Sequence, residues 1–69
     1  MKEWEQRVIN EKEELVEKTT KLDEFINSNF AFDDLYLRDK ALLRTQLDIM
    51  KAYIAILDAR IVSHDIEVK

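Results

Sequence analysis

The stretch LLRTQLDIMKAYIAILDARI, residues 42–61, decides how this chain folds. Leu43, Leu47, Met50, Ile54, Leu57 and Ile61 recur at alternating spacings of four and three, which makes the seam of an α-helix that packs against another helix. A second apolar row, Leu42, Ile49, Tyr53 and Ile56, runs beside the seam, and Ala52, Ala55 and Ala59 fill the gaps. Arg44, Thr45, Asp48, Lys51 and Asp58 are left to make a polar face. A helix that is apolar over so much of its circumference needs more than one partner. The remainder of a 69-residue chain supplies only one, so self-association is the first expectation.

The helix partner lies upstream. Val8, Leu15 and Leu22 fall seven apart; Ile9, Val16 and Ile26 widen the stripe on one side, and Trp4 and Phe25 widen it on the other. Glu and Lys occupy the remaining face, with Glu14–Lys18 and Glu17–Lys21 spaced for i,i+4 pairing. The spacing predicts a first helix over about residues 2–27 and a second over about residues 34–64, joined by a connector at about 28–34. Asn27, Ser28 and Asn29 favour leaving a helix, and Asp33 or Asp34 is the expected N-cap of the next one. Phe30 and Phe32 are expected to plug the bend over Phe25, Ile26 and Leu35. Two helices on a short link pack antiparallel. The simplest register sets Leu22 against Leu47, Leu15 against Ile54 and Val8 against Ile61. The predicted fold is thus all-α, one coiled-coil-like antiparallel hairpin domain over residues 1–69 that assembles into a homo-oligomeric helical bundle.

Composition agrees. A chain this short buries roughly 60 % of its unfolded surface, so small scaffolds usually need a disulfide, a metal or oligomerisation. Cysteine is absent and His64 is the single histidine, which removes disulfides and makes a zinc site improbable. No cofactor is expected either. Glycine and proline are absent too, and with them every glycine-dependent phosphate loop. No apolar run approaches the ~20 residues of a membrane span. The first residues enter charged helical sequence directly, so no signal peptide and a cytoplasmic location are expected. The net charge is −4 without a basic block. That argues against duplex nucleic acid, which demands neutralisation of many phosphates, but not against a small anion held by a few arginines.

Enzyme chemistry has little to stand on. The sequence offers no Ser/His/Asp or Cys/His set, and His64 reads as a solvated residue beside Asp65. More informative are Gln46, Tyr53 and Arg60, seven apart on the flank of the second helix next to its seam. Each is polar-tipped on a face otherwise apolar, and buried without a partner each would cost ~1–3 kcal/mol. Two explanations are open. These groups satisfy one another or residues across the hairpin, Arg60 with Glu11 or Glu5 and Tyr53 with a backbone carbonyl, and so set register. Alternatively, several copies assemble so that a guanidinium, a phenol and an amide line a pocket between helices suited to a base and a phosphate. Trp4 is expected to be an apolar lid at the open end of the hairpin or a surface on which a ligand stacks.

The pattern Glu5-x-Arg7-Val8, Glu11-Lys12-x-Glu14-Leu15, Lys21-Leu22-x-x-Phe25-Ile26-x-Ser28, then Leu42-Leu43-x-x-Gln46-Leu47-x-x-Met50-x-x-Tyr53-x-x-x-Leu57-x-x-Arg60-Ile61 resembles a family of very short bacteriophage proteins related to a reading frame of a crAss-like phage. The resemblance spans about residues 3–62, and the Asn29–Asp34 connector departs from it. That family looks like the helical-hairpin sponges with which phages trap immune signalling nucleotides, of the anti-CBASS, anti-Thoeris and Sequestin-like kinds. The resemblance implies a protein in the cytoplasm of an infected bacterial host, binding a cyclic nucleotide or a cyclic ADP-ribose derivative between protomers without turning it over. It places the ligand on Gln46, Tyr53 and Arg60, with Arg7 and Trp4 nearby, and more loosely on Lys40 and Arg44. Leu42, Ile49, Tyr53 and Ile56 are the expected oligomer interface. The competing expectation is a structural module whose same face binds a host or phage protein.

Overall fold

The computed structural model describes residues 2–64. Two long helices, α1 (Glu3–Ser28) and α3 (Leu37–Ser63), lie against each other as a hairpin, with the four-residue helix α2 (Phe30–Asp33) at the bend. The molecule measures 46 × 17 × 15 Å. Residues 63–69 hold no clear helix stop signal and are expected to fray, but residues 65–69 lie outside the described residues.

The seam positions make the core. Val8 and Ile9 of α1 and Leu57 and Ile61 of α3 form one buried cluster, and half-buried Leu15 packs against it. Leu57 is fully enclosed, and Leu47 is buried further towards the bend. Val8 and Ile61 therefore share one cluster, as the simplest antiparallel register requires. α1 separates its apolar stripe from a charged face; α3 does not, because its apolar residues run around most of the helix. Thr19 is buried in α1, and its hydroxyl donates to the Leu15 carbonyl at 2.6 Å, so this polar interruption of the stripe is satisfied within its own helix. Lys12, the other interruption on that side, forms an ion pair with Asp58 of α3. Along α1, Glu3–Arg7 and Glu17–Lys21 pair one turn apart.

The connector corrects three expectations. The second long helix begins at Leu37 rather than near residue 34, and its N-cap is Tyr36, which makes no side-chain cap hydrogen bond. Neither Asp33 nor Asp34 caps it, because both residues are consumed by the extra turn of helix: Asp33 closes α2 and Asp34 is its C-cap. The capping side chain is instead Asn29, whose Oδ1 accepts from the Ala31 amide at 2.8 Å and starts that turn. Finally, only one phenylalanine plugs the bend. Phe32 is 2 % exposed and meets Phe25 edge to face at 6.0 Å, whereas Phe30 is 86 % exposed. Two residues apart on a helix, at roughly 100° per residue, the pair cannot face the same way.

Candidate functional site

Among the described residues, α3 carries a flank that the hairpin leaves largely exposed. Leu42, Ile49 and Ile56 are 58 %, 63 % and 59 % exposed, and Tyr53 is 42 % exposed. Gln46 and Arg60 lie on the same flank and are exposed as well. The second apolar row and the polar line are therefore one surface. Leu42, Gln46, Ile49, Tyr53, Ile56 and Arg60 follow each other at spacings of four and three, a second seam rotated away from the one that meets α1.

Where α1 borders this flank, Glu11 meets Tyr53. The Tyr53 hydroxyl is held above the usual tyrosine range, first by hydrogen bonding to the Glu11 carboxylate, then by desolvation and by the Glu11 charge, while the Arg60 charge acts in the opposite direction. The backbone carbonyl expected to receive the Tyr53 hydroxyl is not among its hydrogen-bond partners in the described residues; the group that most affects it is Glu11. Arg60 influences the phenol through space and makes no ion pair with Glu11 or Glu5 among the described residues. Gln46 Nε2 points one turn along its own helix at Met50 Sδ, 3.9 Å away, a weak contact that leaves most of the amide's capacity unused.

The other sequence candidates are spread over the molecule. Trp4 stands at the open end of the hairpin, its ring edge-on to His64 at 4.9 Å. It therefore touches the C-cap of α3, whose amide donates to the Arg60 carbonyl one turn back. Arg7 is turned to solvent and paired with Glu3 at 3.1 Å. Lys40 and Arg44 sit at the opposite end, over the Phe32 ring at 5.9 and 5.2 Å from its centre, where they cover the plug of the bend. Along α3, Arg44 and Arg60 are separated by about 24 Å at 1.5 Å per residue, so they cannot meet on one small ligand within a chain.

One concavity escaped the sequence reading. Ile9, Lys12, Glu13, Val16 and Ile61 line a shallow depression of about 320 Å³ on the side of the Lys12–Asp58 pair. The spacing of Ile9, Lys12, Glu13 and Val16 on one face of α1 was legible; that Ile61 closes its floor depends on the helix–helix register. It holds one lysine and one glutamate and none of the residues of the Tyr53 flank.

These features define a helical-hairpin protein with an unpartnered, amphipathic third helix face. The chain matches the Sequestin family model over residues 2–63 and belongs to the Sequestin family. No curated protein and no solved structure was found that matches it. No helix among the described residues is long and apolar enough to cross a membrane.

Proposed function

We propose that this protein is a phage-encoded sponge that sequesters a nucleotide immune signal of the cyclic-nucleotide or cyclic ADP-ribose type, in pockets between protomers and without catalysis. Membership of the Sequestin family over nearly the whole chain carries this reading, since the family's name denotes sequestration. The α3 flank is chemically suited to it. A phenol gives a face for a base, Arg60 gives charge for a phosphate, and Gln46 gives an amide with unused donors and acceptors. The flank is also apolar enough to be closed by another copy, which would exclude water and strengthen those contacts.

The test is calorimetry of the purified protein against a panel of cyclic dinucleotides, cyclic trinucleotides and cyclic ADP-ribose isomers. One of them is expected to bind, and to be recovered chemically intact after the complex is denatured. A bound ligand at a hundredfold excess over its Kd raises stability by about 2.7 kcal/mol, which a thermal melt resolves. Recovery of a cleaved product would replace sequestration by catalysis. Failure of the whole panel, together with specific capture of one host or phage protein that Ile49→Asp abolishes, would favour an interaction module on the same exposed row.

A further inference from the structure

We infer that the shallow depression between α1 and the end of α3 is the seat of the residues that follow α3. Residues 65–69 run back beside α1 as a strap, with Ile66 and Val68 laid on its apolar floor. The inference is independent of the sponge reading, because it concerns the other side of the hairpin.

The depression, of about 320 Å³, is lined by Ile9, Lys12, Glu13, Val16 and Ile61. Val16 is 39 % exposed, so the two helices leave part of this apolar floor open to water. Lys12 is already paired with Asp58, and Glu13 adds a further acid, so no free positive charge is offered to an anion. The floor fits an aliphatic occupant instead. It also faces away from the Tyr53 flank. Asp58 and Tyr53 are five residues apart on α3, which sets them about 140° from each other at roughly 100° per residue.

The chain supplies that occupant at the right place. α3 ends at Ser63, and its C-cap, His64, stands one turn beyond Ile61 on the same side of the helix. The contact of His64 with the Trp4 ring fixes its level along α1. The next residues are Asp65-Ile66-Glu67-Val68-Lys69. Charged and aliphatic residues alternate, the pattern of an extended segment buried on one side. A further helical turn would set Ile66 and Val68 roughly 160° apart and could not bury both on one floor.

The lengths agree. Extended at about 3.3 Å per residue, the strap carries Ile66 about 7 Å and Val68 about 13 Å back from His64. Along α1, at 1.5 Å per residue, Ile9 lies about 7.5 Å and Glu13 about 13.5 Å beyond Trp4. Ile66 thus comes level with Ile9, and Val68 with Glu13, short of Val16. The strap covers the floor and the Lys12–Asp58 pair beside it, and leaves the Tyr53 flank as the uncovered apolar side of the hairpin.

Because the chain has no cysteine, disulfide trapping tests this cleanly. Under mild oxidation the double variant Glu13→Cys/Val68→Cys is expected to close a bond within one chain. Glu14→Cys/Val68→Cys, at the same level but on the far side of α1, is expected to stay open. A bond between chains, formed also when the two single variants are mixed, would mean that a second copy fills the depression and would overturn the proposal. Equal trapping of both pairs, or of neither, would show an unseated segment and overturn it too. As a second arm, at one fixed protein concentration, Val68→Asp should lower the melting temperature by about 4–8 °C, while Glu67→Ala on the water side leaves it unchanged. A Val68→Asp protein that melts like the parent would contradict the docking.

Discussion

Tyr53 shows how one side chain serves two surfaces. Glu11 of α1 holds its hydroxyl above the usual tyrosine range while its ring stays in the exposed row of α3. The phenol is neutral up to a higher pH in the folded protein than in the unfolded chain. Its contribution to stability is therefore complete below the unfolded tyrosine range and is lost as pH rises through the folded value. Tyrosinate absorbance in a Tyr36→Phe background, which leaves one tyrosine, should place the ionisation of Tyr53 above that of the denatured protein. Glu11→Gln should lower it and Arg60→Ala should raise it further, since the two charges act in opposite directions. Equal titration in all three would mean that neither group faces the phenol. Leu57 is the other decisive residue, the one side chain among the described residues that water does not reach at all. Leu57→Ala should cost about 2–5 kcal/mol in urea titration. A core of this size supplies little more than that, roughly 3–5 kcal/mol, so much of the variant should be unfolded at room temperature.

At the scale of the elements, the bend is held by Phe32, with Phe25 at its edge and Lys40 and Arg44 over its face. Phe32→Ala should destabilise by about 3–5 kcal/mol, whereas Phe30→Ala should stay within about 0.5 kcal/mol in a thermal melt. Equal effects would place both rings in the plug. The two long helices were legible from the sequence because their burial follows a repeat. Val8 and Leu15, or Leu47 and Leu57, are spaced so that a helix puts them on one side whatever the partner. The bend was not legible in detail. Nothing in the order Asn29-Phe30-Ala31-Phe32 tells whether the asparagine or a later aspartate caps a helix until Phe32 has a pocket to enter, and that pocket is made by α1 and α3 together. Tyr53 and Glu11 show the same limit. The flank of each was readable from its spacing; their meeting depends on register across the hairpin.

At the scale of the molecule, α1 covers one face of α3 and leaves another in water. Among the described residues six apolar side chains and Thr19 are buried, while Leu42, Ile49 and Ile56 are each more than half exposed. This imbalance, more than any single contact, points to assembly. If copies dock there, the melting temperature should rise with protein concentration by mass action, and Ile49→Asp, which is nearly neutral in a lone hairpin, should abolish that dependence. An Ile49→Asp protein that melts like the parent at every concentration would show that the row is simply solvated. The proposed ligand site stands or falls with the same surface, because within one chain Gln46 and Arg60 lie about 21 Å apart along the helix at 1.5 Å per residue.

Sedimentation velocity of the purified chain at about ten micromolar tests this most directly, since a working interface should be populated at that concentration. The expected result is a folded species of at least twice the 8.3 kDa chain mass. A sharp boundary at 8.3 kDa, with helical circular dichroism intact, would contradict it.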